Sequence, residues 1–381
     1  MKFLGALLLV LHGVTHLVGF RAAFWPEVGQ AGSIQLLGRL AFVGVSTAQA
    51  LGIAWLLVTL AYLTAAVLVL GRDSRWIKVA LAASAVSLLL CVLSWPDARV
   101  GAVLDLGLLL VLFLASRSNS SHLERAFRGG LQQASLPIEI GHSANIDESA
   151  ISSLPEPVKR YLRFMGVVGR PRDWSIRAQF KARFRLAPGA WVDCEALQYD
   201  SRLELARIFY MQLALKNLLP VTVRDTYLAG HGRMRAKVFD LVKVVDGEGH
   251  ELDVGELVTY LNDAILLAPS LLLGPETSWR EVDAHTFDVT LRDGPHHVTA
   301  RVWLDERAAP RDFSTTDRFF DDPSGKRVRT EWRTPVSGWQ HANGRQLPTR
   351  AEAVWRLPSG PFSYAAFSFD PSLIAFNVPP H

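Results

Sequence analysis

Cysteine is scarce in this sequence: 381 residues contain two, Cys91 and Cys194. Cys91 falls in an apolar segment and Cys194 in a predicted strand. Neither belongs to a CxxC pair, which excludes the common zinc and thioredoxin-type arrangements. A soluble part with one lone thiol shows no oxidative stapling, which fits a cytoplasmic face. Net charge is small as well. Forty Lys and Arg against 36 Asp and Glu leave a formal +4, and arginines beside hydrophobic segments account for part of that excess. No Lys/Arg run interleaved with aromatics occurs, which sets nucleic-acid binding aside. GxGxxG, P-loop, GxSxG and HExxH motifs are absent, as is any repeat of fixed period, so no motif assigns a reaction.

Apolar residues are plentiful but unevenly spread. Residues 1–116 are almost continuously apolar, whereas 117–381 read as a soluble domain. The predicted organisation is a transmembrane helical bundle over 1–116, a linker over 117–150 and a β-rich domain over 151–381. Four stretches have roughly the 20-residue length needed to cross hydrocarbon: 3–20, 52–70, 76–95 and 100–115. Residues 33–50, with Arg39, Thr47 and Gln49, make a poor span and read as an interfacial or re-entrant helix. With four crossings, Lys2, Arg72, Arg75, Lys78, Arg117, Arg125 and Arg128 collect on one side, against Arg21, Arg39 and Arg99 on the other. The positive-inside rule then predicts a multi-pass inner-membrane protein whose soluble domain faces the cytoplasm.

Ionisable residues inside the spans are costly and face a bundle interior. His12 and His16 share one helix face at i, i+4 spacing, and Asp105 falls in the fourth span. Two readings follow. The three either form a metal or proton site, or act as interhelical hydrogen-bonding groups. The second is simpler, because two His and one Asp are a minimal ligand set.

The soluble part opens with a short helix near residues 153–154, at Pro155 and Pro157. From 176 to 186 the apolar residues Ile176, Ala178, Phe180, Ala182, Phe184 and Leu186 alternate with Arg177, Gln179, Lys181, Arg183 and Arg185. This is the period of a half-buried antiparallel strand. Similar alternation recurs at Phe287–Leu291, Val298–Leu304 and Ala351–Leu357. Turn signals stand at Pro188-Gly189, Asp246-Gly247, Asp293-Gly294, Pro323 to Gly325 and Asn343-Gly344. One helix is predicted over 254–267, with Asp253 as N-cap and Glu256 completing a capping box. The fold class is therefore a transmembrane bundle of about four helices plus an α+β domain, a curved antiparallel sheet or half-barrel with a covering helix. Gly232 reads as a bulge or a close backbone contact. His296 and His297 point to opposite faces of a strand. Asp225, Glu251, Glu256 and Asp263 have the chemistry for acid–base work, but their spacing brings no two together.

Several phrases resemble a bacterial family of unknown function in which a soluble domain follows transmembrane helices. They are LPEPVKRYLRFMGVVGRP (154–171), RDTYLAGHGRMRAKVF (224–239), GHELDVGELVTYLNDAILLAPSLLL (249–273), SWREVD (278–283) and GRQLPTRAEAVWRLPSGPFSYAAF (344–367). LHGVTHLVGF (11–20) and SWPDARVGAVLDL (94–106) resemble its multi-helix form, although relatives more often carry an amide at the position of Asp105. The resemblance implies a domain similar to the half-barrels of lipoprotein carriers and implies no established activity. The resulting expectation is a non-enzymatic, membrane-anchored module that holds a hydrophobic or lipid-like ligand against Phe180, Phe184, Trp355 and Tyr260, with membrane lipids as its partners. The alternatives are a metal-, proton- or redox-handling protein using His12, His16 and Asp105, and a scaffold that docks a protein.

Overall fold

The structure is a computed structural model that describes residues 2–380, apart from 38, 72, 74, 118–119, 140, 142–143, 186–188, 216–218 and 323–324. Arg72, Leu186, Pro188 and Pro323 therefore lie outside the described residues. The chain divides into two compact units, Met1–Asn119 and Ser120–His381.

In the first unit, helices α1 (Lys2–Thr15) and α2 (Leu17–Phe24) are followed by a hairpin of β1 (Ser33–Leu36) and β2 (Arg39–Phe42). Helices α3 (Val45–Leu70), α4 (Trp76–Leu93) and α5 (Arg99–Arg117) complete it. Three segments are long and apolar enough to cross a membrane by length and composition: Gly5–Phe24, Val45–Leu70 and Trp76–Leu93. The fourth expected span is the helix α5, whose last side chains lie outside the described residues. α3 and α4 are apolar around their whole circumference, as befits segments surrounded by lipid or protein. The expected interfacial helix over 33–50 is corrected. Gly32 and Gly44, both at positive φ, bracket a hairpin, and the amides of Val43 and Gly44 donate to the Gly32 carbonyl. The hairpin pairs Ser33–Leu36 with Arg39–Phe42, and α3 starts seven residues before Gly52.

The second unit opens with α6 (Ser120–Ala134) and α7 (Glu156–Phe164). Six strands follow: β3 (Ser175–Phe184), β4 (Val192–Ser201), β5 (Ala206–Leu215), β6 (Leu219–Leu228), β7 (His231–Val238) and β8 (Val242–Glu248). Next come α8 (His250–Leu267), a 3-10 turn (Pro269–Leu272), β9 (Thr277–Asp283), β10 (Thr286–Asp293), β11 (His296–Leu304) and β12 (Pro310–Thr315). Then β13 (Phe319–Asp321) and β14 (Arg327–Arg329) form a small hairpin, followed by β15 (Trp332–Arg333) and β16 (Val336–Ser337). A second small hairpin, β17 (Gln340–Ala342) with β18 (Arg345–Leu347), precedes β19 (Arg350–Leu357) and β20 (Gly360–Phe376). The main antiparallel sheet runs β8-β7-β6-β5-β4-β3-β20-β19-β15-β12-β11-β10-β9, with β16 beside β19.

α8 packs on β5 to β8 from one arm of the sheet and on β11 and β12 from the other, and it also touches the small-hairpin strand β13. One helix can meet both arms only if the sheet curls around it, and that makes a half-barrel with a covering helix. On β3, Ile176, Ala178, Phe180 and Ala182 are buried on the concave face, while Gln179, Lys181 and Arg183 are exposed. The expected linker is corrected in part: α6 buries Leu123, Phe127 and Leu131 against Leu197, Tyr199, Ile208 and Tyr210 on the convex face of β4 and β5. Asp246 and Gly247 lie within β8, not in a turn. The turn is the three-residue loop Phe239, Asp240 and Leu241, the first two both at φ 54°, with the Leu241 amide donating to the Val238 carbonyl.

Candidate functional site

The concave face carries a row of aromatic rings across its central strands. Antiparallel pairing sets Phe180 opposite Phe369 and Ala182 opposite Phe367, so these side chains share a face. Phe180 packs on Phe209 (6.0 Å between ring centroids), Phe367 (5.8 Å) and Phe369 (5.0 Å). Phe184 continues the row to Phe367 and Tyr364. Tyr364 lies nearly parallel to Trp355, which also meets Phe320. At the far end the Arg318 guanidinium sits 4.4 Å from the Trp332 ring centroid, and Trp332 Nε1 donates to the Tyr364 hydroxyl. Phe180 and Trp355 are buried, whereas Phe184, Tyr364, Phe367 and Phe369 remain partly exposed. Large aromatics left half-wet on a concave sheet form a surface with unfilled contacts.

Tyr260 does not join this row. It is buried on α8 and lines a separate cavity of about 180 Å³ with Arg172, Arg202, Glu276 and several leucines. Phe180, Phe184 and Trp355 thus come together, and Tyr260 faces a polar pocket.

Beneath α8 lies a buried polar cluster that the spacing did not reveal. Arg207 Nε donates to Asp263 (2.8 Å) and its Nη1 to Glu256 (3.1 Å), with Asp225 at 3.6 Å. Gln198 Nε2 donates to both Asp200 (2.7 Å) and Asp263 (2.8 Å). Strand register accounts for the convergence: Asp200 faces Arg207 and Phe209 faces Asp225, all on the concave side, while α8 supplies Glu256 and Asp263. Three of the four acidic residues considered from sequence therefore meet around one guanidinium. Glu251 does not; it pairs with Arg327. Burial pushes the carboxyls of Asp200, Glu256 and Asp263 above the usual carboxylate range, with nearby carboxylates adding to the shift for the first two. Burial alone would lower Arg207, but Asp263 and Glu256 outweigh it and hold the guanidinium firmly charged.

The expected capping box is not made. Gly249 caps α8, Glu256 serves Arg207, and Asp253 accepts the Gly232 amide at 2.7 Å. A Cβ on Gly232 would lie 2.2 Å from the Leu252 carbonyl oxygen, so the close-contact reading of this glycine is right. His231 and His296 approach Asp253 only to 3.9 Å.

In the first unit, His12 Nε2 and Asp105 Oδ1 lie 2.7 Å apart. Ser87 Oγ donates to Asp105 Oδ2 (2.5 Å) and meets His16 Nε2 (2.7 Å). Tyr62 donates to Asp105 at 3.2 Å and shares a hydrogen bond with Ser84. Helices α1, α3, α4 and α5 are thereby tied at one buried point, and the hydrogen-bonding geometry expected for these residues is present.

Residues 144–367 match the model of a family of unknown function, DUF6544. The chain belongs to that family. The DUF6544 match runs from before α7 into β20, takes in α8, and leaves α1 to α6 outside it. No curated protein matches the sequence. The solved structures similar to the chain include the following three. One is a domain described as an outer membrane lipoprotein-sorting protein from Vibrio parahaemolyticus, with 8% identity, TM-score 0.31 and coverage of 54% of this chain and 87% of that one. The second is a LolA superfamily protein from Nitrosomonas europaea, with 12% identity, TM-score 0.26 and coverage of 55% and 90%. The third is a DUF1329 family protein from Desulfovibrio piger, with 9% identity, TM-score 0.33 and coverage of 59% and 95%.

Proposed function

We propose that the half-barrel holds a hydrophobic, lipid-like molecule on its aromatic concave face, and that the N-terminal helices anchor it in the membrane that supplies that ligand. The supporting observation is the aromatic row: Phe184, Tyr364, Phe367 and Phe369 stay partly exposed on the concave side although buried rings adjoin them. An acyl chain laid along that row would bury the rings that the fold leaves wet, at about 25 cal/mol per Å². The helices of crossing length, Gly5–Phe24, Val45–Leu70 and Trp76–Leu93, support the anchoring role. The basic residues Lys2, Arg75, Lys78, Arg125 and Arg128 favour a cytoplasmic half-barrel.

The test is mass spectrometry of apolar molecules that co-purify with the detergent-solubilised full chain. The wild type is compared with Phe184→Asp/Phe367→Asp and with Lys181→Asp on the convex face. Losing two aromatic contacts worth ~1.5–3 kcal/mol each should lower retained ligand more than about tenfold, with Lys181→Asp unchanged. Equal retention by all three proteins sinks the proposal. A stoichiometric protein partner in place of a lipid would point instead to a docking scaffold.

A further inference from the structure

We infer that His12, His16 and Asp105 form a binding site for a divalent first-row transition-metal ion of the zinc type in the core of the helical unit. One ligand atom from each residue lies within 4.8 Å of the other two, and among the described residues no other His, Cys, Asp and Glu group converges this closely. Tetrahedral coordination with bonds of ~2.0–2.1 Å sets ligand atoms about 3.3 Å apart, so small side-chain rotations close the site.

The donor set selects the ion. Two imidazoles and one carboxylate suit zinc or ferrous iron, whereas magnesium and calcium prefer oxygen alone. The backbone already aims the rings. His16 sits at the break between α1 and α2, where its amide donates to the Gly13 carbonyl. Thr15 Oγ1 lies 3.2 Å from His16 Nδ1 and fixes that side of the ring, leaving Nε2 directed inward at Ser87. A partner on the remote imidazole nitrogen is the usual support for a ligating histidine.

Charge supplies the second argument. The Asp105 side chain has no exposure, in a helix rich in leucine and valine, and no Lys or Arg side chain bonds it. A cation between Asp105 and the two imidazoles would neutralise that carboxylate where water cannot. The Ser87 hydroxyl, which bridges His16 and Asp105, would be displaced or become a further oxygen donor. Three protein donors leave a coordination position open, the pattern of sites that bind a small molecule and not of purely structural ones.

The experiment strips the full chain in detergent with a chelator, adds Zn²⁺, removes free metal and measures zinc by elemental analysis. The wild type should retain about one equivalent. His12→Gln/His16→Gln should retain almost none, and Asp105→Asn should bind at least about tenfold more weakly. The amides preserve hydrogen bonding, so both variants should remain folded by helical circular dichroism. Should the double variant not fold, His12→Gln alone carries the test. Ser87→Ala, which breaks the bridging hydrogen bonds but leaves all three ligands, should keep the zinc. Wild type that retains no zinc, or Gln and Asn variants that retain as much as wild type, overturns the site.

Discussion

At Asp200 the fold holds an acid under conditions that favour its protonated form. It is buried beside Asp263, and its Oδ1 finds no hydrogen-bond partner among the described residues. Folding raises its pKa above the unfolded value, so the native state retains a proton that the unfolded chain releases above about pH 4. Stability from this group is thus complete below that pH and is lost as the pH rises through the folded pKa. Asp200→Asn abolishes the titration while keeping an oxygen for the Gln198 amide. The stability of the variant relative to wild type should therefore climb with pH above about 4. The thiol of Cys194 is a suitable reporter of unfolding in this unit, since burial pushes it up to about 12 and keeps it inert in the native state. Denaturant-dependent labelling of Cys194 across pH measures the difference, and one that does not change with pH refutes the assignment.

Among the elements, α6 departs most from its sequence appearance. Its Ser, Arg and Gly content suggested a linker, yet Leu123, Phe127 and Leu131 recur every fourth residue and form one apolar stripe. That i, i+4, i+8 signal was present but short, and its partners Tyr199 and Tyr210 lie more than sixty residues downstream. Gly130 passes so close to Tyr210 that a Cβ would lie 2.2 Å from the hydroxyl. Phe127 is fully buried against Tyr210 and also receives the Arg177 guanidinium over its ring. Phe127→Ala should therefore cost ~3–5 kcal/mol and shift Cys194 labelling to lower denaturant. A cost below about 1 kcal/mol would show that α6 is dispensable to the sheet.

For the whole molecule, the proposed anchoring predicts a side of the membrane for the half-barrel. The four crossings expected from the sequence, with α5 as the fourth, would keep both termini together; β1 and β2 form a hairpin and residues 45–50 belong to α3, so 33–50 add no separate crossing helix. Parallel fusions of a fluorescent protein and of alkaline phosphatase after residue 381 test the outcome expected from the basic clusters. The fluorescent fusion should light up, and the phosphatase fusion should stay inactive. The reverse pattern would put the half-barrel outside and leave an odd number of crossings.

Local pattern was enough for the apolar N-terminal segments, the alternation of β3 and the existence of α8, because hydropathy and period two act within a few residues. The place of His12 and His16 on one helix face was legible for the same reason. Strand order and register belong to the tertiary structure. They carried Asp225, Glu256 and Asp263 to Arg207 and separated Tyr260 from Phe180, Phe184 and Trp355. They also spent Asp253 and Glu256 on distant partners in place of a local cap. A carboxylate takes whichever donor remains after water is excluded, and only the closed half-barrel determines which donor that is.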